Sequence, residues 1–306
     1  DDASTDGSNA LISKFPVKLI RLKKNMGSGN ARNVGMLQSS GDLVIFIDAD
    51  VVVQSDSFPL LLRSFQDDLT LDAVIGCFSV EHPNRNFFSQ YKNLYMHYIF
   101  CQMPDHVDFL FTSICALKRT TWLNFMKTRL KTDDTELGQR YSAGGRKIML
   151  HKSINVVHLK RHTFVSFFKN EFLIPRDWAV IFLRNQGFAQ LVRKRRFAHA
   201  KGNQIIGILI VLLIPMIVAL WGVGSFMAVL LCLGVFFSLQ ARFLAFLYRS
   251  RGLLFLVTSV FVVCADAFVM GMGVIAGTCA YLFIPKEFFE QDSNHVPQKQ
   301  PEALGI

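Results

Sequence analysis

The 306-residue chain carries 33 basic and 23 acidic side chains, a formal net charge of +10, and 51% hydrophobic residues. That composition excludes a soluble domain along the whole length. Ile205 to Ile284 is nearly continuous hydrocarbon, whereas residues 1 to 200 mix polar and apolar side chains as a globular domain does. The positive charge argues against nucleic acid by its position: Arg193, Lys194, Arg195, Arg196 and Lys201 precede the first apolar stretch, and Arg249 and Arg251 fall in a short loop between later ones. Such placement is that of cytoplasmic flanks held by anionic lipid. The six cysteines (77, 101, 115, 232, 264 and 279) lack metal-ligand spacing and read as buried thiols rather than disulfides or a zinc site.

In chain order, DDASTDGS (1 to 8) opens as a turn with two leading carboxylates. It has no initiator Met, signal peptide or strand ahead of it, so the natural chain is expected to begin earlier. Val17 to Leu22 is a strand candidate, followed by the basic, glycine-containing KKNMGSGNARN. Ser28, or Asn30, is the candidate cap of a helix reaching Gln38, with Ala31 and Gly35 small enough for close approach. Gly41-Asp42 turns into the β-rich run Leu43 to Ile47, and that run ends in Asp48-Ala49-Asp50. Strand, helix, strand in about thirty residues predicts a βαβ unit of a mostly parallel sheet, α/β in class.

Two carboxylates at the end of a buried strand are costly without compensation. Strand alternation points them the same way, toward a shared divalent cation, Mg²⁺ or Mn²⁺, and through it a diphosphate in the crevice beyond the strand ends. The alternative is an Asp-rich turn.

Past Val51–Val53, the pattern predicts a helix over Phe58–Phe65, a strand over Ala73–Val80, an aromatic helix over Phe87–Phe100, a strand over Asp108–Leu117 and a helix over Trp122–Leu130. In KTDDTELGQR (131 to 140), Thr132 caps a helix whose first turn holds Asp133, Asp134 and Glu136, favoured at the positive helix end. A cap accounts for one or two acids, so three in four residues also read as a catalytic carboxylate cluster. Lys147–Leu150 and Ile154–His158 are short strands. His162–Leu183, broken at Pro175, reads as aromatic and basic helices at a membrane interface, the alternative being a packed helix of the soluble domain.

Three spans are expected: Gln204–Gly224, Phe226 to about Leu247, and Leu253–Ile284, the last long, tilted or interrupted at Gly271 and Gly273. Arg242 and Asp266 are the charges inside this region, as a pair or with Arg242 snorkelling. The division is thus 1–160 catalytic, 161–203 interface helices and basic linker, 204–285 membrane-spanning, and 286–306 a polar tail. The catalytic domain falls in the cytoplasm and the tail outside.

Four blocks resemble the membrane-anchored, inverting glycosyltransferases of family 2, with the GT-A fold. DDASTDGS resembles the nucleotide-binding turn, GSGNARNVGMLQSSGDLVIFIDAD (27 to 50) the helix and DxD strand, TDDTELGQR (132 to 140) the acidic segment that supplies the base, and His158 the metal-binding histidine. The resemblance implies a first strand and ligand-contacting turn ahead of Asp1. It also implies a nucleotide-sugar donor and a membrane lipid acceptor, with Mn²⁺ or Mg²⁺ on Asp50, Asp48 and His158. Asp2, with Asp1 alongside, is placed near the base or ribose. Lys24 and Arg32 are contacts to the nucleotide or diphosphate, or Arg32 braces the carboxylates as an ion pair. Asp134 is the general base, with Asp133 where the family usually has Glu. Arg140 ties the acidic helix to the sheet or to a phosphate.

Processive synthases of this fold carry QxxRW, whereas residues 174 to 178 here read IPRDW, with Arg176 and Trp178 split by Asp177. That departure and the small number of spans favour a single transfer to a lipid, such as a polyprenyl phosphate or a lipid-linked glycan. A processive synthase and a non-catalytic membrane scaffold are the alternatives, and association of copies through the spans is compatible with either.

Overall fold

The computed structural model describes residues 1–122, 132–185, 187 and 196–284. Most of the helix expected over Trp122–Leu130, the basic run 193–195 and the polar tail lie outside them.

The segment AVIGCF has no charged side chain to turn toward water. It forms β3 (Ala73–Phe78), with every residue buried, as a central strand covered on both faces must be. Beside it lie β5 (Ile114–Lys118), antiparallel, and β6 (Ile148–His158), parallel. β1 (Leu43–Ile47) adds to β5 and β2 (Val51–Val53) to β6, both antiparallel, giving the order β1-β5-β3-β6-β2 with β4 (His106–Val107) on β6. The helices of this domain are α1 (Ser8–Ile12), α2 (Ser28–Gln38), α3 (Ser57–Asp67), α4 (Phe87–Cys101) and α5 (Asp133–Ala143). In α3, Ser57, Leu61, Ser64 and Phe65 recur at helical spacing and are the buried face.

The class is α/β, but the sheet is mixed rather than mostly parallel. Among the described strands only β3 and β6 pair in parallel. Val17–Leu22 does not join the ladder: its main-chain bonds run to Asp1, from Asp1 N to Ile20 O (2.7 Å) and from Leu22 N to Asp1 O (2.9 Å). The strand expected from Asp108 starts only at Ile114, because the Asp108 carbonyl is taken by the Gln139 side chain (2.9 Å). Conversely, β6 runs through the expected gap, absorbing it as a register shift against β3 between Ile75 and Cys77.

α6 (Phe164–Arg184) is capped by Thr163, whose hydroxyl accepts from Ser166 N, and continues through Pro175 without the expected break. The proline is buried in a helix held by its neighbours, so one missing N–H does not divide it. Glu171, an acid among the phenylalanines of α6, is buried against Lys92 of α4 (Nζ to Oε1, 2.5 Å). A short hairpin, β7 (Arg196–Phe197) and β8 (Ala200–Lys201), leads into the apolar helices α7 (Gly202–Trp221), α8 (Phe226–Arg251) and α9 (Leu253–Phe283).

All three are long and apolar enough to cross a membrane. At 31 residues α9 is about 46 Å long, against a hydrocarbon core of about 30 Å, so it tilts or extends beyond it. It does not break at its glycines. Gly273 and Gly277 instead let α6 come into backbone contact, since a Cβ at either would strike the carbonyl oxygens of Phe172 and Arg176. Asp266 is buried and accepts from the Tyr91 hydroxyl (3.5 Å) rather than pairing with Arg242, which is exposed.

Candidate functional site

β1 ends at Ile47, so Asp48, Ala49 and Asp50 form a turn and strand alternation does not apply to them. The two carboxylates separate. The Asp48 Oδ1 accepts from Arg32 Nη2 (2.8 Å) and its Oδ2 from the Ser113 hydroxyl (2.9 Å). Asp50 goes the other way. The antiparallel register sets Val51 against His158, Leu159 N donates to the Asp50 carbonyl (2.7 Å), and Asp50 Oδ2 stands 3.5 Å from His158 Nε2. The His158 ring lies flat on Phe78 at 4.4 Å, which fixes its plane. The His158 hydrogen bond holds the Asp50 carboxyl below the usual range, against the opposing effect of burial.

Arg32 joins the DxD turn to the acidic helix. Its Nη1 reaches Asp133 Oδ2 (3.3 Å), to which the Ser28 hydroxyl also donates (3.1 Å). The ion-pair alternative for Arg32 is the one observed, and Ser28, expected as a cap, follows the cap residue Gly27 and braces Asp133 instead. Thr132 sits at the α5 cap position without a side-chain cap bond; Asp133 Oδ1 accepts from Asp134 N (2.9 Å) and Asp134 Oδ1 from Thr135 N (2.7 Å). Burial, and then the charge of Asp133, pushes the Asp134 carboxyl up to about 7. Burial raises Asp133 too, with Arg32 opposing it. Arg140 grips Glu136 through two bonds (2.7 and 3.0 Å), tying the helix to itself.

Asp1 Oδ2 accepts from Ser4 N (3.0 Å) and from Asn9 Nδ2 of α1 (3.1 Å), whereas Asp2 accepts from the N–H groups of Met26 (2.7 Å) and Gly27 (2.8 Å) and so orders the entry to α2. Lys24 is exposed. Arg176 folds onto the buried Asp177 (2.6 Å), and Trp178 packs edge-on against His199 at 4.4 Å.

Trp178 and His158 line one cavity of about 160 Å³ between α4, α6, α9 and the end of β6, together with Lys92, Asn93, His162 and Glu171. Among the described residues, His162 Nδ1 and Trp178 Nε1 are buried there without a hydrogen-bond partner. Burial, reinforced by Lys92, takes His162 down to about 4, so it is a neutral imidazole at neutral pH. The cavity thus offers unspent hydrogen-bonding groups and no unpaired buried charge.

The described residues contain no group of three metal donors, so Asp48, Asp50 and His158 do not form the expected three-ligand set. Asp50 with His158 does fit a cation as a two-donor set. Neighbouring ligands on a six-coordinate ion bonded at about 2.1 Å lie about 3 Å apart, close to the observed 3.5 Å. Phosphate oxygens and water complete such sites, and a mixed oxygen and nitrogen pair suits Mn²⁺ better than Mg²⁺.

Residues 1–127 match the family described as Glycosyl transferase family 2. The poly-β-1,6-N-acetyl-D-glucosamine synthase of Staphylococcus aureus is 35% identical over 80 residues, 25% of this chain and 19% of the relative; that of Staphylococcus epidermidis is 32% identical over 80. The chain therefore spans about a fifth of the length of the curated relatives it matches. The mannosyltransferase PcManGT from Pyrobaculum calidifontis, solved in complex with GDP-Man and Mn²⁺, is similar at a TM-score of 0.48 and 15% identity, over 92% of this chain and 76% of that one. Residues 1–127 thus match a glycosyltransferase family 2 domain, α/β with a mixed sheet, and the chain continues into three apolar helices of membrane-spanning length.

Proposed function

We propose that the protein transfers a single sugar, with inversion, from a nucleoside-diphosphate sugar to a membrane lipid acceptor, on the cytoplasmic face. The observation that carries this reading is the convergence around Arg32: one guanidinium bridges the DxD turn and the acidic helix, 2.8 Å from Asp48 and 3.3 Å from Asp133. That bridge supports reading the DxD turn as the diphosphate side and the acidic helix, which carries Asp134, as the acceptor side of one cleft.

Asp50 and His158 would hold a divalent cation, which when bound supplies positive charge to the leaving diphosphate. Arg32 keeps Asp48 and Asp133 at fixed separation and offsets part of their charge. Asp134, whose second oxygen has no hydrogen-bond partner among the described residues, takes the proton from an acceptor hydroxyl as that oxygen attacks the anomeric carbon opposite the leaving group. An acceptor that is already an ionised phosphate needs no such transfer, and there Asp134 orients it. The cavity behind His158 opens toward α6 and α9 and takes the polar head of the acceptor, whose hydrocarbon stays with the apolar helices.

The test is a donor screen with purified full-length protein, Mn²⁺ and membrane lipid extract, reading which nucleotide sugar is consumed and which lipid gains mass. One sugar per lipid is expected. The match to a polysaccharide synthase favours a second reading, processive transfer, and a ladder of products would establish it. No consumption of any donor would overturn both.

A further inference from the structure

Arg251 is the last residue of α8, at the junction with α9, and turns toward the catalytic domain. Its Nε donates to the Gln90 side-chain oxygen (2.9 Å), its Nη2 to the Val80 carbonyl (3.0 Å) and its Nη1 to the Ser250 carbonyl (2.9 Å). A side-chain amide has one oxygen and one NH₂ group, so fixing the oxygen on Arg251 aims the NH₂ the other way. There it donates to the carbonyls of His82 (3.0 Å) and Asn84 (2.7 Å), with Gln90 itself buried.

The loop so pinned, residues 79–86, in turn grips the end of β6. Asn84 Nδ2 donates to the Leu159 carbonyl (3.0 Å), and His82 Nε2 meets the Lys160 carbonyl at 3.2 Å. Leu159 and Lys160 are the two residues after His158, and Leu159 N is bonded to the Asp50 carbonyl (2.7 Å). A continuous run of hydrogen bonds therefore leads from the end of α8 in the membrane unit to the backbone that sets Asp50 against His158. Arg249, two residues earlier in the last turn of α8, makes no hydrogen bond among the described residues.

We propose that Arg251 is a positioning residue for the Asp50–His158 pair, acting through Gln90 and the 79–86 loop, so that the cation site takes its geometry partly from the seating of the membrane helices. This rests on Asp50 and His158 being the cation site. It assigns Arg251 a role other than attraction to anionic lipid, because three directed donors are spent on protein acceptors. Lysine, a point charge without the fork, replaces it only in part.

The test uses full-length protein in nanodiscs of one lipid composition, with Mn²⁺ alone as the probe and the electron paramagnetic resonance of the free ion as the readout. Wild type is expected to bind Mn²⁺ and Asp50→Ala to lose it. Arg251→Gln and Gln90→Met each weaken binding about tenfold, the low end for groups supporting metal ligands. The double variant is no weaker than either single one, since both break one relay. Arg251→Lys falls between, and Arg249→Gln matches wild type. Should Arg251→Gln fail to fold, Gln90→Met and Arg251→Lys carry the test. Wild-type Mn²⁺ binding in the Arg251 and Gln90 variants, or equal weakening by Arg249→Gln, overturns the inference alone. A wild-type protein whose Mn²⁺ binding survives Asp50→Ala overturns the cation site as well.

Discussion

Asp48 and Asp50 are separated by one alanine and sit in different electrostatic settings. Both oxygens of Asp48 accept hydrogen bonds, from Arg32 and Ser113, and through Arg32 it belongs to a closed cluster with Asp133. Among the described residues the Asp50 carboxylate has one partner, the His158 imidazole at 3.5 Å, and the side chain is 44% exposed. The contrast divides the two carboxylates of one DxD motif between separate surroundings. Asp48 ties the DxD turn to the acidic helix through Arg32, and Asp50 stays open to solvent.

The largest expected effect tests the open carboxylate. Asp50→Ala removes the oxygen donor of a two-donor set, and losing several kcal/mol of charge stabilisation lowers turnover about 10³-fold or more. The protein still folds and inserts, because Asp50 is a half-exposed turn residue. Turnover within a few-fold of wild type, at any Mn²⁺ concentration, would refute its role. Asp134→Asn comes next, at about 10²-fold, the lower range for removing a general base. An unchanged rate with an acceptor that presents a hydroxyl would refute the base assignment.

The pH profile sharpens the comparison from the closed side. A base must be ionised, and the Asp134 carboxyl is raised to about 7, so kcat/KM is expected to climb with pH through that region and level off above it. Asp50 is shifted the opposite way and remains ionised throughout this range. Asp133→Asn removes the second cause of the Asp134 shift while leaving burial, the first, in place. The ascending limb should therefore move to lower pH without disappearing, and a limb that stays where it was would detach Asp133 from Asp134.

Much of this site is legible in the sequence, and what is not has identifiable physical reasons. The glycine-containing basic helix, the IDAD turn, the acidic first turn of α5 and the apolar tail all stand out as local patterns of residue type. The partition of Asp48 from Asp50 does not, because it depends on the chain turning straight after Ile47 and on β2 pairing with β6 over a hundred residues later. Ser113 carries no local signal, since it reaches Asp48 only through the antiparallel register that sets Ile47 against Ile114. Glu171 looked like an exception on an apolar helix face, and its partner Lys92 lies 79 residues earlier on α4. The expected parallel sheet failed for a related reason: local alternation identifies a strand but not the direction of its neighbour.

The smallest predicted effect separates the two aspartates most finely. Ser113→Ala removes a neutral hydroxyl from Asp48 Oδ2 and leaves Arg32 on Oδ1, a loss of about 1 kcal/mol for one hydrogen bond. If Asp48 serves the cleft and Asp50 the cation, this change lowers the unfolding midpoint slightly and leaves the Mn²⁺ concentration for half-maximal activity where it was. His158→Ala should do the reverse, raising the Mn²⁺ requirement, because the imbalance between an oxygen–nitrogen pair and an oxygen donor alone falls on Mn²⁺ more than on Mg²⁺. A Ser113→Ala protein whose Mn²⁺ requirement rises as far as that of His158→Ala would place Asp48 on the cation, and the division between the two carboxylates would no longer hold.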